Sequence, residues 1–330
     1  MRLILAAVAL LATRPVPQEK YRVEEGQGAL ARTLHLDRAA LALAASPDGK
    51  LLAIGVRGKI LLAGFEDGKL LQSVDTGRGS VRGLAFSPDG TQVAAGCIGG
   101  VFLVEVATGK VLWKAPGHPS PQKGGEGAYG VAFSTDGTEV LTVSPDDSNL
   151  RSWSARDGSA GKSVDAKSPL NRIAVSGERI AVASEEGIAV YGKGLAEVWR
   201  QKARLAGAIA FSPDGALLAA GVTGAEAAVT LRESGTGKDA GRLGSAGAGS
   251  LTGLAWTPDG KRLVTATSRG GKVLLWTRGK ETEGPTATLD PAFRVGADID
   301  RAAVAGLAGK ALAVAGAGAE SQVRIYRMAE

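Results

Sequence analysis

Short apolar runs separated by tight polar turns make up nearly the whole chain. The stretch LAFSPDG at 84–90 shows the pattern. An apolar run at 81–86 leads into Ser87-Pro88-Asp89-Gly90, and a second run follows at 91–95. Ser87 can accept a hydrogen bond from the backbone ahead of it. Pro88 brings a fixed φ to the second turn position, Asp89 tolerates the third, and Gly90 takes the positive φ that follows. This pattern predicts strand, tight turn, strand. The same turn recurs as LAASPDG at 43–49, VAFSTDG at 131–137, IAFSPDG at 209–215 and LAWTPDG at 254–260. One hairpin cannot bury its own apolar face, so regular copies predict a repeat architecture.

The turn glycines set the period. Gly49, Gly90 and Gly137 are 41 and 47 residues apart, and Gly215 and Gly260 are 45 apart. The 78 residues between Gly137 and Gly215 hold a degraded copy, IAVSGERIAVAS at 173–184. A last copy, AAVAGLAGKALAVAG, spans 302–316. Seven units result, with a mean period of about 43 residues, the length of a four-stranded propeller blade. Third strands read KILLAG at 59–64, VFLVEV at 101–106, NLRSWS at 149–154, GIAVYG at 187–192, AVTLRE at 228–233, KVLLWT at 272–277 and QVRIYR at 322–327. Almost nothing follows the last, so the seventh unit lacks its own fourth strand. A spare strand, ARTLHLDR at 31–38, precedes the first hairpin. Pairing of this segment with 322–327 would cover both open edges. The expected fold is all-β: a seven-bladed β-propeller of four-stranded antiparallel blades, closed by an N-terminal strand.

These turns, this period and this strand order resemble WD-repeat seven-bladed propellers over about residues 30–330. The chain is a divergent member on this comparison. The Trp-Asp pair is absent: its positions hold Ala63-Gly64, Val104-Glu105, Trp153-Ser154, Tyr191-Gly192, Leu231-Arg232, Trp276-Thr277 and Tyr326-Arg327. The Gly-His pair occurs once, at Gly117-His118. In the family, His, Ser/Thr, Asp and Trp form a hydrogen-bonded set that stiffens a blade. The resemblance offers His118, Thr142, Asp147 and Trp153 for it in the third blade. His118 precedes Phe133 by 15 residues, several more than the family spacing. Either an insertion at about 119–126 absorbs the difference, or His118 stays outside the set.

Catalytic chemistry finds little footing. The chain has two histidines; His35 alternates within the closing strand, and nucleophilic catalysis needs a base beside the nucleophile. SPDDSN at 144–149 lacks the alternating acidic order and distal Glu of a calcium loop. Glycine-rich stretches such as GAGAGS at 246–251 open no helix, so no phosphate cradle is expected. No cofactor or metal is expected. An alternative from another class remains: EVATGKVLW at 105–113 resembles the repeats of quinone-cofactor dehydrogenases and their binding-only relatives. A lactonase-like propeller enzyme acting on a small molecule is a further form of that alternative.

The expected function is a non-enzymatic interaction scaffold that binds a protein or peptide. The loops joining fourth to first strands and second to third strands share one face and vary most. They include 114–128, 144–149, 222–227, 267–271 and 289–300. The candidate partner-binding residues on this face are Arg57, His118, Lys123, Asp146, Glu185 and Arg269.

Composition adjusts the picture at the margins. Glycine contributes 48 of 330 residues, as tight turns require, and aromatics only 5%. A net charge of +6 is spread thinly, with no basic run and no specific nucleic-acid motif. Cys97 is the sole cysteine, in a strand-like segment, so no intrachain disulfide is possible. Leu3 to Ala12 is apolar, too short for a transmembrane span and suited to a secretory leader. Residues 1–17 are therefore expected to be a signal peptide, 18–30 a linker and 31–330 the propeller. The expected location is extracytoplasmic, periplasmic or secreted, and cytoplasmic if that segment is not a leader.

Overall fold

Five copies of one turn punctuate the sheets. In each, a Ser or Thr hydroxyl donates to the Asp two residues on: Ser46 to Asp48, Ser87 to Asp89 and Ser134 to Asp136, all at 2.6 Å, and likewise Ser212 to Asp214 and Thr257 to Asp259. The same hydroxyl oxygen accepts the backbone N–H that opens the next strand, as from Gln92 to Ser87 at 2.9 Å. The glycine that closes each turn is left-handed, with φ between 66° and 75°. An L side chain is disfavoured there, so the recurring Gly is a backbone requirement.

The turn carboxylates Asp48, Asp89, Asp136, Asp214 and Asp259 all sit below the usual range. At Asp136 the Ser134 hydroxyl and the Thr138 N–H hold the carboxyl at about 2. At Asp48 burial pushes upward and is outweighed by Ser46 and Lys50. A carboxyl lowered in the folded state stabilises the fold above its unfolded value of about 3.9. That stabilisation is lost as pH falls through the folded value. Thermal melts followed by circular dichroism should therefore show the melting temperature dropping between about pH 4 and 2. Asp136→Asn should flatten the drop; an unchanged slope would refute the role of this carboxyl.

The computed structural model describes residues 22–25, 30–120, 125–184, 186–203, 205–222, 228–243, 251–267, 273–278, 287–288, 304–308, 311–317 and 321–327. Its described residues are almost entirely strand and turn, with one short 3-10 turn at Lys193–Leu195. Four antiparallel sheets have four strands in chain order. They are the third unit (Gly130–Phe133, Glu139–Val143, Asn149–Ser154, Ala160–Asp165) and the fourth (Arg172–Ser176, Arg179–Ser184, Gly187–Tyr191, Glu197–Lys202). The fifth (Leu205–Phe211, Leu217–Val222, Ala228–Glu233, Asp239–Leu243) and sixth (Leu251–Trp256, Arg262–Thr267, Val273–Thr277, Ala287–Thr288) follow.

The first two units form one six-stranded sheet because two of their strands run on. Leu51–Gly64 doubles back at the left-handed Gly58, and Phe65 N–H reaches Lys50 O at 2.7 Å to close its ends. Leu70–Phe86 is the outer strand of the first unit in its first half, pairing with 59–63. Its second half, pairing with Gln92–Cys97, is the first strand of the second unit. Gly100–Glu105 and Val111–Ala115 complete that unit.

The last sheet has five strands. Val304–Ala308, Ala311–Ala317 and Ser321–Arg327 follow one another, and Leu30–His35 then pairs antiparallel with Ser321–Arg327. Arg22–Glu25 lies outside Leu30–His35, in the stretch read from sequence as linker. It has one neighbouring strand among the described residues, and Val23, Glu24 and Glu25 are exposed.

Apolar side chains from adjacent sheets meet in separate cores. Leu103 and Trp113 of the second unit pack with Phe133 and Trp153 of the third. Leu141 and Leu150 pack with Val182 and Tyr191 of the fourth, and Leu231 of the fifth packs with Trp256 and Trp276 of the sixth. Leu34, Val323 and Ile325 pack with Leu43, Leu52, Ile54 and Phe65 of the first unit. The first strands of successive units pack side by side, and Val304–Ala308 also packs against Ala42–Ala45.

Tryptophans bridge these cores with satisfied N–H groups. Trp113 donates to Ala155 O at 3.0 Å and Trp199 to Ser234 O at 2.9 Å, each one unit ahead. Each ring lies on a turn glycine. A Cβ at Gly158 would come within 2.7 Å of Trp113, and one at Gly237 within 2.8 Å of Trp199. In both places the glycine clears room for the indole as well as taking a positive φ.

Candidate functional site

The third unit gathers four polar side chains in a buried line. Trp153 N–H donates to Thr142 Oγ1 at 2.8 Å, Thr142 Oγ1 and His118 Nε2 are 2.9 Å apart, and His118 Nδ1 and Asp147 Oδ1 are 2.8 Å apart. One arrangement satisfies every donor: Trp153 to Thr142, Thr142 hydroxyl to His118 Nε2, and His118 Nδ1–H to Asp147. Thr142 and His118 are fully buried. Asp147 also accepts from Arg151 Nη2 at 2.8 Å and from the Asn149 N–H at 3.1 Å. Burial pushes the Asp147 carboxyl up, but the hydrogen bonds and charge around it win and hold it at about 2.

The 114–128 segment carries His118 to that line and then leaves it. His118–Ser120 pairs with Gly125–Gly127 as a small hairpin, with His118 opposite Gly127. Gly127 bridges to Ile98 in the turn between second and third strands of the second unit. The additional residues between His118 and Phe133 are thus taken up by the hairpin, where the sequence pattern had placed only a loop.

His118 was expected on the partner-binding face as well as in the hydrogen-bonded set. It is removed from that face, because its side chain has no exposed area. Arg57 is exposed beside the left-handed Gly58, and Asp146 is partly exposed in the 144–149 turn. Lys123, Glu185 and Arg269 lie outside the described residues.

The sixth unit holds a related pair that sequence reading passed over. Trp276 N–H donates to Thr265 Oγ1 at 2.9 Å, with the same eleven-residue separation as Trp153 and Thr142. The available signal was that spacing, Thr then Trp eleven residues on. The fifth–sixth junction has no histidine to extend the line.

The family model for the WD domain, G-beta repeat, matches residues 68–102 and 242–277. Two stretches of the chain thus match the WD repeat. One matched stretch begins two residues before the fourth strand of its unit and the other within it, and each ends in the third strand of the next, so repeat and sheet are offset by a strand. WD repeats serve in general as protein-interaction scaffolds, and the family is typically non-enzymatic. No curated protein matches the chain. No helix among the described residues is long and apolar enough to cross a membrane.

Proposed function

We propose that the protein is a seven-bladed WD-repeat propeller, closed by Leu30–His35, that holds a protein or peptide partner outside the cytoplasm. The partner lies across the face that carries the fourth-to-first and second-to-third strand loops. The observation that carries this reading is the 118–127 hairpin. It lies within the fourth-to-first connection and is tied to the neighbouring turn through the Ile98–Gly127 bridge. Ile98 itself is 41% exposed, a large apolar side chain left at the surface beside it. A braced strand pair beside exposed apolar surface suits recognition on a rigid scaffold. The packing of successive first strands, and of Val304–Ala308 on Ala42–Ala45, supports the ring. The apolar run at 3–12 supports export.

The test is to shorten 119–126 to two glycines, keeping His118 in place. Tagged wild-type chain should capture a specific partner from host extract, and the shortened chain should lose it with melting unchanged. Equal capture by both chains would refute this face. N-terminal sequencing of the fractionated chain checks location: a start between Ala12 and Glu19 outside the cytoplasm supports export, and an intact Met1 in the cytosol refutes it.

A further inference from the structure

Arg82 occupies an unusual position at the start of the second unit's first strand. Val81 pairs with Cys97 and Gly83 with Gly96, so Arg82 is the additional residue of a β-bulge. A bulge re-aims the side chain out of the strand's alternation. The guanidinium lies over the Tyr129 ring, 5.1 Å from its centroid. Its Nε is buried and has no hydrogen-bond partner among the described residues. The ring occupies the flat face of the guanidinium and leaves its N–H edge for an acceptor. Arg82 as a whole is partly exposed, so the side chain is open to an acceptor from outside the chain.

The surroundings set the chemistry of that group. Arg57 pairs across the ladder with Ser80, two residues from Arg82. Arg38 Nη1 donates to Arg57 O at 2.6 Å, and Arg38 keeps Asp37 at 3.8 Å. Among the described residues neither Arg57 nor Arg82 has an ion-pair partner. Ile98 borders the same strand, its N–H on Ser80 O at 3.0 Å. The patch is therefore two unpaired guanidinium groups and one exposed apolar side chain, beside the hairpin.

We propose that Arg82 and Arg57 receive a side-chain carboxylate from an acidic segment of the protein partner. A planar guanidinium matches a carboxylate in two parallel hydrogen bonds; Arg82 is partly exposed, and the exposed Arg57 supplies the second charge. Ile98 takes an apolar neighbour of that residue. This inference rests on the loop face being the partner-binding face.

The experiment is fluorescence anisotropy with a labelled hexaglutamate peptide on the full chain at fixed low salt. Arg82→Gln should weaken binding about tenfold or more, and Arg57→Gln by a smaller factor. Arg82→Lys keeps the charge but not the fork, so it should restore only part of the loss. Arg156→Gln is the control. Arg156 lies in a turn between third and fourth strands on the opposite face, with its side chain 91% exposed. It should change binding less than about twofold, since an exposed charge acts only through the screened field. Equal losses in Arg82→Gln and Arg156→Gln would show that only net charge matters and would overturn the proposal. So would full recovery in Arg82→Lys, or no hexaglutamate binding by the wild type. Partner capture by the chain shortened at 119–126 decides the face separately. A chain that needs the hairpin but is indifferent to Arg82 keeps the face and loses the carboxylate.

Discussion

A chain that starts at Leu36 should not yield a folded monomer. Leu30–His35 supplies the fourth strand beside Ser321–Arg327, and Leu34 is fully buried among Leu43, Leu52, Ile54, Phe65, Val323 and Ile325. Loss of one such leucine side chain alone costs about 2–5 kcal/mol. The ladder is lost with it, and Ser321–Arg327 becomes an open edge ready to pair with another chain. A domain's whole stability is about 5–15 kcal/mol, so these losses together are enough to unfold it. Size-exclusion chromatography should show aggregate and circular dichroism should show no cooperative melt. Leu34→Ala is the graded version, with a loss of about 2–5 kcal/mol in urea unfolding. A truncated monomer that melts close to the full chain would disprove this role for the strand.

The second large effect belongs to His118. His118→Ala should destabilise the chain by about 3–5 kcal/mol, because it leaves a buried carboxylate and a buried hydroxyl without their shared partner. Asp147 retains Arg151 and the Asn149 N–H, which limits the loss, while Thr142 retains only Trp153. Thr265→Val provides the contrast. It keeps the shape and removes one hydrogen bond from the Trp276 indole in a unit without the histidine, at a cost of about 1–3 kcal/mol for the buried N–H left unpaired. Urea unfolding of the two variants should show the histidine change as the larger. Equal effects would mean that His118 acts as packing and not as the centre of a polar line.

The turns were legible in the sequence because their chemistry is local. Ser, Asp and Gly each act within five residues, so the spelling of SPDG contains its own structure. The strands around them follow from apolar alternation, which needs no knowledge of the partner strand. Three features were not legible for related reasons. Arg22–Glu25 is an outer strand whose face is open to water, so nothing in its side chains marks it as a strand. The hairpin at 118–127 is built from Pro, Ser and Gly, residues that ordinarily signal a loop. Arg82 became distinctive only through the register of Val81 and Gly83, a property of two strands together. Thr265 and Trp276 could have been found from their spacing, had the Thr142–Trp153 interval been carried to other units.

The outer strand alters how the joined ends respond to force. In the ladder between Leu30–His35 and Ser321–Arg327, Leu30 lies opposite Tyr326, so tension applied there would open the hydrogen bonds one at a time, as a zip. Arg22–Glu25 turns back and places Arg22 opposite His35, at the far end of the same ladder. Tension between Arg22 and Arg327 then runs along the strands. It loads the bonds of the outer pair together in shear, and the clasp resists as a lap joint does.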